Sequence, residues 1–155
     1  MLRHDGREIA LEDLGNDLFV AAHADFDRFP LRVERSPNAA PVLWHGGQRY
    51  VRSEVVPTTL PEPAHRLKAI AGQYRSHNPW TTNFRVVLRG DEPWLIFPAA
   101  PDGFDTEQVL ISSEGGVFRV SEDTANPETL RFDTIIDGRA LRAWLSGWPY
   151  YRAGC

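Results

Sequence analysis

The sequence predicts an all-β protein: an antiparallel meander closing into a β-barrel, with a partial copy of the same unit ahead of it and one short helix. Three observations carry this. Short runs of alternating apolar residues recur between turn signals about every 8 to 12 residues, a spacing typical of barrels and sandwiches. Asp137-Gly138 is a strong two-residue hairpin signal. Finally, the pattern Trp-x-x-Gly-x-x-Tyr-x-Arg occurs twice, at Trp44, Gly47, Tyr50 and Arg52 and again at Trp144, Gly147, Tyr150 and Arg152. The shift is 100 positions (144 minus 44). A solenoid unit repeats at about 20 to 50 residues, so a period this long reads as a duplicated domain.

In chain order, the first copy spans residues 1–56, with strands expected over 8–12, 18–21, 29–34, 42–45 and 48–52. Its turns are expected at Gly15-Asn16, Pro37-Asn38 and Gly46-Gly47. Residues 57–63 hold three prolines, Pro57, Pro61 and Pro63, and read as a stiff extended linker. The second copy, 64–155, opens with the one credible helix, 64–71. This follows Pro63, spaces Leu67 and Ile70 three apart and stops at Gly72. At two turns it is marginal alone, and it is expected to plug the open end of a barrel.

A strand near 72–76 follows. In 83–89, Phe84, Val86 and Leu88 share one face, and Arg85 and Arg89 the other. Gly90 to Pro93 turns the chain into a strand over 94–97, and Pro98 to Gly103 forms a loop. Strands over 107–111 and 117–120 flank a turn at Glu114-Gly115-Gly116. A loop with Asn126-Pro127 leads to 130–136, the Asp137-Gly138 turn, 139–145, and a last strand near 150–152. The repeat extends upstream by pairing Ile9 and Leu11 with Val109 and Ile111, and Val20 with Val120. Leu31 to Glu34 matches Leu130 to Asp133 after one residue of slippage. The second copy has a leader before the match and the first has none, so the chain is expected to be the tail of a larger protein. Unpaired edge strands of the partial copy drive association. They are expected to pair with the second copy's sheet or with another molecule, as in a homo-oligomer.

The totals bound the function. The hydrophobic share is 42%, enough for a core. Net charge is −4, which argues against a nucleic-acid partner. Cys155 is the single cysteine, so no internal disulfide is available. No run approaches the roughly 18 apolar residues that span a bilayer. The opening Met1 to Gly6 lacks the apolar stretch of a signal peptide; the compartment of the whole protein is left open.

The densest polar and aromatic cluster is Arg75, Ser76, His77, Asn78, Pro79 and Trp80. Arg75, His77 and Asn78 would suit an anion or carbonyl pocket walled by Trp80, with His77 as general base. The alternative, which is preferred, is an ordered Asn-Pro turn with His77 and Trp80 packed on the barrel rim. Tyr74 and Arg152 fall on the first and last strands of the second copy, which are neighbours in a closed barrel. A guanidinium over the Tyr74 ring would be a closing contact of about 0.5 to 2 kcal/mol. Arg52 holds the matching place in the first copy.

His23-Ala24-Asp25-Phe26-Asp27 alternates ligand-type side chains. It lacks the glycine and distal glutamate of a calcium loop, however, and reads as an acidic surface loop. Asp102, Asp105, Glu107, Glu122 and Asp123 read as solvated turn charges. His4, His45 and His65 have no ligand-spaced partner. Trp94, Trp144 and Trp148 read as core or rim packing rather than an aromatic platform. No metal site and no cofactor is implied.

The Gly72-x-Tyr74 and Arg152 arrangement resembles the closing pair of lipocalin-type barrels, with Tyr in place of Trp. The run Gly72 to Trp80, with Phe84 to Arg89, Leu130 to Asp133 and Tyr150-Tyr151-Arg152, is similar to a known accessory module. That module is the lipocalin-like β-barrel region that follows the catalytic domain of bacterial β-lactamase-related, penicillin-binding-protein-like serine hydrolases. Asp25 to Arg32 and Trp44-His45-Gly46 resemble the preceding barrel of such proteins. The resemblance implies a hydrolase domain in cis. The catalytic motifs themselves do not transfer: the single lysine, Lys68, follows His65-Arg66-Leu67, so there is neither Ser-x-x-Lys nor Lys-Thr-Gly.

Three functions are thus in view. The first is a non-catalytic accessory barrel serving stability, assembly or substrate gating. The second is a lipocalin-like binder of a small apolar ligand, which would need room among Phe84, Val86, Leu88, Phe118 and Phe132. The third is an independent enzyme using Arg75, His77 and Asn78. The first is preferred.

Overall fold

A computed structural model describes residues 1–52, 54–55, 59–98 and 106–154. Pro57 and Thr58 of the expected linker, most of the Pro98–Gly103 loop, Asp102, Asp105 and Cys155 lie outside the described residues. The chain divides into two units, Met1–Thr59 and Leu60–Cys155.

The first unit opens on a hairpin, β1 (Leu2–His4) with β2 (Arg7–Ile9). Its turn is Asp5-Gly6, whose φ angles of 47° and 74° give the left-handed pair that matches strand twist. A five-stranded antiparallel meander follows: β3 (Leu11–Gly15), β4 (Leu18–Ala21), β5 (Leu31–Ser36), β6 (Ala39–His45) and β7 (Gln48–Tyr50). The strand expected over 8–12 is therefore two. The chain leaves β1 after Ile9 and joins β4 from Leu11. Ile9, Ala21, Phe26 and Leu31 form the core, with Leu2, Leu11, Phe19, Leu43 and Tyr50 packed against it.

Among the described residues the second unit has one α-helix and eight strands. They are α1 (His65–Ile70), β8 (Gly72–Arg75), β9 (Asn83–Arg89), β10 (Glu92–Ile96), β11 (Glu107–Ser112), β12 (Val117–Val120), β13 (Thr129–Ile136), β14 (Arg139–Leu145) and β15 (Trp148–Arg152). Each pairs antiparallel with the next, and β15 returns to β8 through Tyr151↔Arg75 and Arg152↔Tyr74, so the barrel is closed. The fold is all-β with one short helix, as the strand spacing predicts. Leu67 and Ile70 of α1 are buried in the barrel's core beside β14 and β9. A closed barrel offers no edge. The strands of the first unit form sheets of their own. Their own edges are β3, which exposes Glu12 and Asp13 and shifts register before Gly15, and the three-residue β7.

The barrel interior is occupied by side chains. Phe118, Phe132, Tyr74, Phe84 and Tyr150 form a chain of ring contacts with centroids 5.9, 5.5, 5.4 and 4.8 Å apart in turn. Phe132 on β13 and Tyr74 on β8 are not on neighbouring strands, so their contact crosses the lumen. Val86, Leu95, Leu110, Val120, Leu130 and Ala143 fill the space around the rings.

The two units share a register. Leu31↔His45 and Arg32↔Trp44 in β5–β6 correspond to Leu130↔Leu145 and Arg131↔Trp144 in β13–β14. Leu43↔Tyr50 corresponds to Ala143↔Tyr150. Phe19↔Leu31 corresponds to Phe118↔Leu130, and Leu11↔Ala21 to Leu110↔Val120. The offset is thus 99 (130 minus 31) up to Glu34 and 100 (142 minus 42) from Val42 onward. The pairings of Ile9, Leu11 and Val20 read from sequence are one residue off. The slip lies in the β5–β6 hairpin, where the register shifts between Glu34 and Ser36. It matters because one residue of slip exchanges the two faces of a strand.

The same polar contact recurs at this register. The Trp44 indole N–H donates to Glu34 Oε2 at 2.7 Å, and the Trp144 indole N–H to Asp133 Oδ2 at 2.8 Å.

Candidate functional site

The seam where β15 meets β8 is a densely bonded polar site. Arg152 Nε donates to the carbonyl of Ala140 at 2.8 Å, Nη1 to that of Ala71 at 2.8 Å, and Nη2 to that of Ala69 at 2.8 Å. Nη2 also reaches the Tyr74 hydroxyl at 3.3 Å, and the guanidinium carbon lies 5.4 Å from the Tyr74 ring centroid. Tyr74 is fully buried and donates to the Ile70 carbonyl at 2.9 Å. The last carbonyls of a helix have no partner within it. Here Arg152 and Tyr74 supply those donors, joining α1, β8, β14 and β15 at one end of the barrel. Gly72 has no side chain at the point where the guanidinium passes over the backbone. This arrangement joins structural elements. In the first unit Arg52 lies beyond the end of β7 and is exposed.

The loop after β8 holds the other candidates. Asn78 is buried; its Nδ2 donates to the Tyr150 hydroxyl at 3.2 Å, and its Oδ1 accepts the Trp80 N–H at 2.9 Å. The Tyr150 hydroxyl donates to the Thr81 carbonyl at 2.9 Å, and burial raises its pKa. Asn78 is thereby fixed as an internal brace. Arg75, His77 and Trp80 face solvent, and Trp80 is 91% exposed. The loop is an ordered turn, but His77 and Trp80 do not pack on the rim. Trp94 is half-buried and stacked on Arg89, Trp144 sits on the outer wall, and Trp148 is 55% exposed.

Glu107 is not a solvated turn charge. It begins β11 on the outer wall, and its Oε2 accepts from Arg89 Nη2 at 2.9 Å, with the side chains 0% and 4% exposed. The Trp94 ring lies 4.5 Å from the Arg89 guanidinium carbon and shields the pair from water. Alternation alone places Arg89 on the face opposite Phe84, Val86 and Leu88 and does not say that this face is covered.

The first unit brings together histidines that are far apart in sequence. The ring of His4 meets Phe26 edge-on at 4.9 Å, and His4 Nε2 lies 2.9 Å from Asp25 Oδ2. His23 Nδ1 accepts the Asp25 N–H at 3.2 Å. His45 packs between Phe26 and Phe29 at 5.2 and 5.4 Å, and burial lowers its pKa. The signal for this grouping is absent from local spacing, because His4 and Asp25 are 21 residues apart. Among the described residues, no group of three or more His, Cys, Asp or Glu side chains could hold a metal ion. Among the same residues, no helix is long and apolar enough to cross a membrane.

Comparison with protein-family models, curated proteins and solved structures finds no match.

Proposed function

We propose that this chain is a non-catalytic accessory β-barrel module that serves the stability, assembly or substrate gating of a hydrolase domain in cis. The observation that carries the reading is the filled lumen. The five rings from Phe118 to Tyr150 occupy the space in which a small barrel would hold a ligand. The seam supports it too. Arg152 and Tyr74 direct their polar groups to backbone carbonyls and hold the barrel shut.

The hydrolase assignment rests on the resemblance of Gly72 to Trp80 and Tyr150 to Arg152 to the lipocalin-like region of β-lactamase-related serine hydrolases. The test is the reading frame upstream of Met1. An in-frame domain with Ser-x-x-Lys and Lys-Thr-Gly is expected; a frame opening at Met1 behind its own ribosome site would overturn the assignment. An ester-hydrolysis assay of the purified chain separates this from the enzymatic reading. No turnover is expected, and turnover abolished by His77→Ala would contradict the proposal.

A further inference from the structure

The outer wall of the barrel carries a basic, aromatic platform around the Trp144–Asp133 contact. Two rows run across the strands there. One is Val117, Arg131, Trp144 and Pro149; the other is Asp133, Arg142, Tyr151, Arg75 and Asn83. The Arg131 and Arg142 guanidinium carbons lie 5.6 and 5.1 Å from the Trp144 ring centroid, so the indole and both cations hold one another in place. Arg131 and Arg75 are exposed, and Tyr151 is 58% exposed.

Asp133 is the one carboxylate in these rows. Both its oxygens are taken, by Arg142 at 2.6 and 3.0 Å and by the Trp144 indole at 2.8 Å. Among the described residues, no carboxylate lies within 4.0 Å of Arg131 or Arg75. The chain as a whole carries a net charge of −4, so this wall departs locally from an acidic molecule. Asp91, Glu114, Glu122, Asp123 and Asp137 lie outside the strands. Trp, Tyr and Arg on a firm surface are the residue types that dominate binding energy at protein interfaces.

We propose that this platform docks an acidic peptide segment of another protein, with Arg131 and Arg75 as the charge-reading residues and Trp144 and Tyr151 as the apolar floor between them. Guanidinium forks match carboxylates in bidentate geometry. Spaced side-chain carboxylates suit two separated arginines. The continuous charge of a nucleic-acid backbone is opposed by the net negative charge of the chain.

The test uses the full chain and a synthetic ten-residue poly-glutamate peptide. Backbone and indole N–H signals are followed by NMR at low salt and at about 0.2 M salt, where screening is strong beyond about 7 Å. Saturable shifts centred on Trp144, Tyr151, Arg131 and Arg75 are expected, weakening as salt rises. Arg75→Glu combined with Arg131→Glu should weaken binding by at least about tenfold, a difference of about 1.4 kcal/mol, with the melting profile unchanged. Arg75→Gln with Arg131→Gln serves if the reversal impairs folding. No shift at low salt, shifts centred elsewhere, or undiminished binding by the variants would overturn the proposal. Tighter binding of an oligothymidylate of equal length would overturn it as well, by making the occupant a nucleic acid.

Discussion

Arg152 crosses Gly72 so closely that a Cβ built on Gly72 would meet the guanidinium carbon at 2.8 Å. The clash falls on the flexible end of a side chain, which could ordinarily swing aside. Here that end is held by the carbonyls of Ala69, Ala71 and Ala140, so moving it breaks charge-assisted hydrogen bonds. Gly72→Ala should therefore lower stability by about 1 to 3 kcal/mol, read as a fall in the denaturant midpoint. Arg152→Ala should cost about 2 to 4 kcal/mol, because it strands buried carbonyls. The double variant should cost less than the sum, since the first change already displaces what the second removes. Strict additivity would contradict the contact.

Breaking the buried Arg89–Glu107 pair should be among the most damaging single changes in the barrel. Glu107→Gln leaves Arg89 charged and buried beside Trp94, and a loss of about 3 to 5 kcal/mol is expected. Replacing both residues with apolar ones of similar volume should recover most of that loss. Denaturant unfolding of the single and double variants checks this.

Asp133 makes the stability of the second unit sensitive to acid. The Arg142 guanidinium first, then the Trp144 indole and the Thr134 hydroxyl, hold its carboxyl well below the usual carboxylate range. A carboxyl lowered in the folded state contributes stability that is complete above its unfolded pKa, near 4. That contribution is lost as pH falls through the folded value. Thermal melts from about pH 5 down to pH 2 should therefore fall more steeply for the natural chain than for Asp133→Asn. Equal slopes would contradict the assignment.

His45 acts in the first unit and in a higher window. Burial lowers its pKa despite the opposing charge of Asp27, and its Nε2 has no hydrogen-bond partner among the described residues. A histidine held neutral on folding disfavours the folded state as pH falls below the unfolded value of about 6.5. The first unit should lose stability between about pH 7 and pH 5, and His45→Phe should flatten that loss. Hydrogen exchange at Leu31 and Leu43 across the range reads it for this unit alone.

How much of this was legible in the sequence follows from the reach of each contact. Phe84, Val86 and Leu88 alternate over a full strand, and Asp137-Gly138 marks the turn between β13 and β14, so the barrel strands are readable locally. The β1–β2 hairpin was missed although Asp5-Gly6 is the same turn signal. Its strands are three residues each, too short to alternate. The Tyr74–Arg152 contact was readable because a meander that closes must bring its ends together. Glu107 reads from sequence as a solvated turn charge and Arg89 only as facing away from Phe84, because alternation says which side of a strand a residue faces, not whether that side is covered. The His4–Asp25 contact depends on folding two segments onto Phe26, and no local spacing encodes it. The repeat was found by its aromatic signature, but its alignment drifted by one residue upstream. Only the strand pairing places the slip in the β5–β6 hairpin.

The filled lumen is tested most directly by titrating a long-chain fatty acid, and separately a hydrophobic dye, into the intact chain. No saturable binding at micromolar concentration is expected, because Phe118, Phe132, Tyr74, Phe84 and Tyr150 already occupy the axis. Phe84→Ala serves as the positive control: it should cost about 3 to 5 kcal/mol and open a cavity that takes up small apolar molecules. One-to-one saturation of the natural chain at micromolar ligand would contradict the account and make the barrel a carrier.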